Sequence, residues 1–217
     1  MSVPRVVTID GAAASGKSTL ARGLARALGL AYVNTGLMYR ALTLEAVERG
    51  VDPGDGAALA TLITTLRFSL EGDDPPQLSI EGSTSDRRLT GADVEAHVSQ
   101  VARHPEVRAP MRTEQRRLGE AGAVMEGRDM GSVVFMDAPV KLHLEADPAV
   151  RVERRARERS GDDVARALYE RDRHDERVNP LAPAVGAVVI DTTDLGIDEV
   201  LSAALAVIGE RAPELLR

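Results

Sequence analysis

The strongest constraint on this chain is Gly11-Ala12-Ala13-Ala14-Ser15-Gly16-Lys17-Ser18, which follows the apolar run Val6-Val7-Thr8-Ile9. Behind it, Leu20, Leu24 and Leu28 recur at the spacing of a helix packed on one face. Strand, glycine-bounded loop and helix form the context that a phosphate-binding loop requires. Gly11 and Gly16 can take positive φ, so that successive backbone N–H groups turn inward around an anion. The helix N-terminus adds unpaired donors and roughly half a positive charge. Lys17 is then placed to reach β- and γ-phosphates, and the Ser18 hydroxyl to ligate Mg²⁺. A tight turn beside a surface lysine accounts less well for residue types, spacing and flanking elements that all agree. We expect Gly11, Ala12, Ala13, Ala14, Ser15, Gly16, Lys17, Ser18 and Thr19 to hold a nucleoside triphosphate.

The rest of the chain alternates in the manner of an α/β fold. Ala31 to Gly36 reads as a short strand ending in a turn, and Leu37 to Val47 as a helix stopped by Gly50 and Pro53. Thr35 and Arg40 fall near the carboxyl end of that strand, where open α/β sheets place ligands. By position alone, Arg40 reads equally well as a solvated helix residue. Arg67-Phe68-Ser69-Leu70-Glu71 and Gln77-Leu78-Ser79-Ile80-Glu81 alternate around Gly72-Asp73-Asp74-Pro75-Pro76. This is a hairpin signal, read as an inserted substructure separate from the main parallel sheet. A helical stretch follows from Ala92 to about Leu118, with Pro105 and Pro110 expected to break it into pieces. Ser99 and Arg108 lie on it without any local feature to mark them.

The apolar strand Ala123 to Met125 runs on through Glu126 into Gly127-Arg128-Asp129-Met130-Gly131, which puts a guanidinium and a carboxylate at a strand's carboxyl end. Those two neighbours either serve a ligand or pair with each other. Further strands are expected at Val140 to Ala146 and Ala187 to Thr192, with a closing helix from Ile197 to Ile208. Alternating strands and helices predict a P-loop α/β fold, its sheet parallel and its crossovers right-handed. Between those last strands, Pro148 to Gly161 is an arginine-dense helix with the character of a closing lid. Arginine suits phosphoryl groups because its rigid fork binds them bidentately. The bland alternative is a solvated charged helix whose glutamates pair with some of these arginines.

Charge and composition narrow the partners. The net charge of −7 argues against duplex nucleic acid, which needs a basic face. All but Lys17 and Lys141 of the 27 basic residues are arginine, and they cluster at 151–159 and 171–177. With aromatics at 2%, base recognition must rest on hydrogen bonds and not on stacking. The absence of cysteine removes disulfides, thiolate metal sites and cysteine nucleophiles. No apolar run is long enough to span a membrane, and the expectation is a cytoplasmic protein. The length of 217 residues favours one domain.

Taken nearly end to end, the chain resembles the bacterial cytidylate (CMP) kinases. The resemblance is carried by Asn34-Thr35-Gly36 with Tyr39-Arg40, by Ser99-Gln100-Val101-Ala102 and Pro105-Glu106-Val107-Arg108, and by Gly127-Arg128-Asp129-Met130-Gly131-Ser132-Val133-Val134-Phe135. Asp137 to Lys141, Glu170 to Asp175 with Pro180-Leu181, and Asp191-Thr192-Thr193 continue it. What the resemblance implies is transfer of the γ-phosphoryl group of ATP to CMP or dCMP, with Mg²⁺, by a monomer. It further implies one domain over 1–217, with an acceptor-binding insert at roughly 36–118 and a lid at roughly 149–163.

By the same resemblance, Ser99, Arg108 and Asp129 face the cytosine, and Arg40 and Arg128 clamp the acceptor phosphate. Thr35 lies near the acceptor nucleotide, and Arg171, Asp175 and Arg177 contact its sugar and phosphate. Arg151 and Arg155 match arginines that meet the transferred group. The chemistry agrees for Asp129, because cytosine presents an amino donor that a carboxylate accepts. Two departures from the family pattern stand out. The arginine after Asp175 is one residue early, and Leu89-Thr90 replaces an Ile-Arg pair, for which Arg88 is the candidate substitute.

The acceptor oxygen is already ionised at neutral pH, so no general base is needed. Catalysis is expected to be positioning and neutralisation by Lys17, Arg128, Arg151, Arg155 and the metal. Two alternatives remain open on sequence: another small P-loop kinase acting on AMP, UMP, dTMP or shikimate, and a non-catalytic nucleotide-binding module. A GTPase would need an Asn-Lys-x-Asp motif, which the chain lacks.

Overall fold

The computed structural model describes residues 5–82, 87–158 and 182–216. Its centre is a seven-stranded sheet of β1 (Val6–Gly11), β2 (Ala31–Asn34), β3 (Phe68–Glu71), β4 (Gln77–Ile80), β5 (Ala123–Gly127), β6 (Val140–Glu145) and β7 (Val188–Asp191), in the order β3-β4-β2-β5-β1-β6-β7. Every neighbouring pair is parallel except β3 with β4. β1 is buried along its whole length, as expected of a strand with helices on both faces. Its register sets Asp10 opposite Gly127 of β5 and His143 of β6. The carboxyl ends of β1, β2 and β5 therefore open together on one edge.

Among the described residues the helices are α1 (Lys17–Leu28), α2 (Thr35–Arg49), α3 (Gly56–Ile63), α4 (Ala92–Ala102), α5 (Pro105–Gly119), α6 (Pro148–Glu158) and α7 (Ile197–Arg211), of which α1, α2, α5 and α7 pack on the sheet. Gly29 and Gly50 end α1 and α2 in left-handed conformation. Asn34 caps α2 by accepting from the Leu37 N–H at 3.3 Å, so the helix starts directly from the strand end. The two faces of the sheet carry separate cores. One joins Leu42, Leu59, Met111 and Met125 under α2, α3 and α5, and the other joins Leu24, Leu142 and Ile208 beneath α1 and α7.

Two expectations need correction. The 68–80 hairpin is not a separate substructure, because β4 extends the main sheet beside β2, with the Tyr32 N–H donating to the Pro76 carbonyl at 2.7 Å. Without β4, β2 would be an edge strand with unpaired backbone groups. Next, Pro110 does not break its helix. Pro105 opens α5 at its first turn, where no N–H is needed, while Pro110 sits inside α5. The segment before the hairpin, to which no element is assigned from sequence, forms α3, capped by Asp55, whose carboxylate accepts from Ala57 and Ala58.

Leu24 is fully buried between α1 and the sheet. Leu24→Ala is expected to lower unfolding free energy by about 3 kcal/mol, from lost burial and the cavity left behind. Denaturant unfolding should show a lower midpoint at unchanged slope.

Candidate active site

A cleft of about 480 Å³ opens above the carboxyl ends of β1, β2 and β5. On one side it is bounded by Ala13, Ala14, Lys17, Ser18 and Thr19, and on the other by Thr35, Arg40, Ser99, Arg108, Arg128 and Asp129, with Arg155 completing the wall. Residues from the phosphate loop, α2, α4, α5, the β5 end and α6 thus share one cavity.

The loop has the expected backbone. Gly11 and Gly16 have φ of 147° and 93°. A Cβ on Gly11 would stand 2.3 Å from the Leu144 carbonyl oxygen, so only glycine fits there. Ala14 is also left-handed, at φ 58°, with no glycine there to mark the turn. The Lys17 ammonium donates to the Ala12 carbonyl. From the far edge of the sheet, the Thr192 hydroxyl lies 3.1 Å from the Ser15 carbonyl and accepts from Arg154 Nη1 at 2.9 Å. This gives a physical role to part of the Asp191-Thr192-Thr193 run.

Arg128 and Asp129 do not pair with each other. Arg128 reaches across the sheet, its Nη1 donating to the Gly11 carbonyl at 2.5 Å. Asp129 turns to α5, where Arg108 Nη2 donates to it at 2.5 Å and Arg112 Nη2 lies 3.8 Å away. Both Arg108 and Asp129 are buried, so this pair is shielded from bulk water and sensitive to loss of either member. Arg40 is buried as well, donating to the Leu89 carbonyl at 2.9 Å and to Glu95 at 2.7 Å. Neither Arg40 nor Arg108 is the solvated residue that position alone allowed.

Thr35 is buried and its hydroxyl donates to the Glu126 carbonyl at 2.7 Å. Ser99 lines the cleft on α4. On α6, Arg155 faces the cleft, whereas Arg151 is buried and donates to the carbonyls of Ala13 and Ala146, each at 3.3 Å. Arg88 is not among the residues that line the cleft. It pairs with Glu48 at 2.8 Å, and Thr90 lines the cavity instead. Arg171, Asp175 and Arg177, and the lid beyond Glu158, lie outside the described residues.

Sequence reasoning passed over two carboxylates. Glu126, at the end of β5, accepts from the Ser18 hydroxyl and from the Tyr32 hydroxyl, each at 2.9 Å. Burial raises its pKa, opposed by Lys17 and by the hydrogen bond from Ser18. Its Oε2 is buried without a protein partner among the described residues. Asp10 accepts the N–H groups of Met130 and Gly131, at 2.9 and 2.8 Å, and so ties the loop after Asp129 to β1. Burial pushes its pKa up to about 6 against the pull of those two donors. The available signal was position: both acids end strands that flank the phosphate loop.

Close packing at the acceptor side is equally specific. A Cβ on Gly127 would lie 2.8 Å from both Thr35 Oγ1 and Met130 Cγ. The turn into Arg128 is therefore built around a bare backbone.

Comparison with known proteins gives a consistent picture. The family model described as cytidylate kinase matches residues 7–210. The cytidylate kinase of Deinococcus radiodurans is 44% identical over 211 residues, covering 94% of this chain and 100% of the relative. That of Thermus thermophilus is 44% identical over 209 residues, covering 93% and 97%. A sugar kinase crystal structure from a Janibacter species aligns with a TM-score of 0.54 at 17% identity, covering 98% of each chain, a likeness of fold alone.

Proposed function

The chain belongs to the cytidylate kinase family, and we propose from that premise that it transfers the γ-phosphoryl group of ATP to CMP or dCMP. It is an ATP-dependent phosphotransferase. The observation that carries the substrate assignment is the shared cleft, with the phosphate loop on one side and the buried Arg108–Asp129 pair on the other. One side suits a triphosphate, and the other offers a carboxylate and a guanidinium to a base with an amino donor beside ring acceptors.

The residues divide the work as follows. The loop amides and Lys17 hold the ATP phosphates, with Arg151 bracing the loop at Ala13. Arg40 and Arg128 hold the CMP phosphate, and Arg155 faces the space between. Ser99, Arg108 and Asp129 read the base, with Thr35 supporting the acceptor side. We assign the sugar and phosphate contacts of Arg171, Asp175 and Arg177 on family resemblance. Residues 36–118 act as the acceptor insert and 149–163 as the lid. On the same resemblance we assign a monomer. Among the described residues, no helix is long and apolar enough to cross a membrane.

The donor set suits Mg²⁺. Ser18 Oγ and a buried, partly unpartnered Glu126 carboxylate are hard oxygen ligands beside the phosphate loop. Among the described residues no cage of three or more acidic or histidine side chains forms, as fits an ion held partly by substrate phosphates. When bound, Mg²⁺ would offset negative charge on the ATP phosphates. The protein's own contribution is to bring two anions together, neutralise them and exclude water, since the acceptor oxygen needs no base.

The test is ADP formation with each monophosphate in turn. CMP and dCMP should stimulate it strongly, UMP weakly, and AMP, GMP and dTMP little. Stimulation by AMP or dTMP above that by CMP would overturn the assignment, as would no stimulation by any monophosphate.

A further inference from the structure

Glu95 has no role in the reading above, yet it connects two residues that do. It lies on α4, and its two carboxylate oxygens go to guanidiniums from two other helices. Oε2 is 2.7 Å from Nη2 of Arg40 on α2, and Oε1 is 3.7 Å from Nη2 of Arg155 on α6. Both arginines line the cleft, whereas Glu95 is not among its lining residues. Arg40 has a second anchor in the Leu89 carbonyl, at 2.9 Å.

Two guanidiniums facing one cavity repel each other until a phosphate separates them, and a long arginine side chain has many rotamers in which to avoid that repulsion. A carboxylate divided between them lowers the repulsion and selects the rotamers in which both face the cavity. An isolated surface ion pair would contribute little, but here Arg40 is buried and its partner is shared with the α6 arginine. The contact also joins the acceptor-side insert to the helix that carries the transfer-side arginine.

We propose that Glu95 is a positioning residue for phosphoryl transfer: fixed by its ion pair with buried Arg40, it holds Arg155 at the orientation from which that arginine meets the transferred phosphoryl group. The proposal rests on the roles given above to those arginines. Because Arg40 retains Leu89 and its buried surroundings, loss of the Glu95 charge falls mainly on Arg155. The consequence is a defect in kcat more than in acceptor binding.

The experiment is a double-mutant cycle with E95Q and R155A, with E95D as the conservative variant, each assayed for kcat, for KM of CMP and for thermal unfolding. E95Q should lower kcat about tenfold with KM for CMP changed less than about twofold, since misplacing a charged group costs rate before it costs binding. E95D should recover part of that loss, and E95Q should have no further effect in the R155A background. The unfolding midpoint of E95Q should stay close to that of the parent. If R155A lowers kcat but E95Q leaves it unchanged, or if the two effects multiply, Glu95 has no positioning role while the reading of Arg155 survives. If R155A leaves kcat unchanged, the role of Arg155 falls, and the proposal falls with it. A lowered midpoint with kcat and KM worsened together would show a merely structural residue and overturn the proposal.

Discussion

Lys17→Ala is expected to lower kcat by about 10²- to 10³-fold while the Kd for CMP changes by less than about threefold, the range seen when one preorganised charge-stabilising donor is removed. Lys17 begins α1, lines the cleft on the phosphate-loop side, and rests against the loop's own Ala12 carbonyl. It is outside the hydrophobic core, so its truncation leaves the fold intact. In the reaction, negative charge redistributes over the transferring group as it leaves ADP, and an ammonium fixed beside it gains strength as that charge shifts. The acceptor is held elsewhere, by Arg40, Arg128 and the Arg108–Asp129 pair, which is why its affinity should barely respond. Steady-state kinetics and calorimetric CMP titration separate the two quantities. Equal losses in both would place Lys17 in general electrostatics and not in transfer.

The second large effect concerns the base. Asp129→Asn is expected to lower the ratio of kcat/KM for CMP over UMP by about 100-fold or more, because a site built to hydrogen-bond one group discriminates strongly against its absence. The carboxylate can only accept, so it suits the cytosine amino group and opposes the uracil carbonyl. An asparagine amide has the same shape and can present a donor instead. Asn is the informative substitution, because it keeps the side chain's shape and an oxygen that can still accept from Arg108, whereas Asp129→Ala would remove the acceptor together with the charge beside two guanidiniums. Parallel assays with CMP and UMP on the folded variant decide the matter. An unchanged ratio would remove Asp129 from base recognition.

Much of this site was legible along the chain. The phosphate loop announces itself because backbone conformation, helix start and lysine position are all local, and its positive-φ glycines stand where expected. The Gly127-Arg128-Asp129 run was recognisable as a strand end bearing charge. Which charge meets which was not legible. Arg128 and Asp129 are adjacent, yet one contacts Gly11, 117 residues away, and the other Arg108, 21 residues away. Both lie in the turn beyond the end of β5, where the chain changes direction, so neighbours in sequence were sent to different partners.

Arg40, Arg108 and Ser99 show the same limit from the other side. Each sits on a helix with nothing nearby to mark it, and each became a site residue only when α2, α4 and α5 closed over the strand ends. The hairpin was recognised from its alternation, but alternation tells a strand its faces and not its neighbour. Its place beside β2 depended on an edge that only the assembled sheet exposes.

By itself, then, the amino-acid order determined the P-loop α/β class, the triphosphate side of the cleft and the family, since these rest on short-range spacing and residue type. The tertiary structure alone decided the Arg108–Asp129 and Arg128–Gly11 pairings, the Ser18–Glu126 contact and the Glu95 bridge. The physical reason is that a buried charge takes its partner from whatever the sheet order brings within about 3–4 Å, and sheet order is a property of the whole chain.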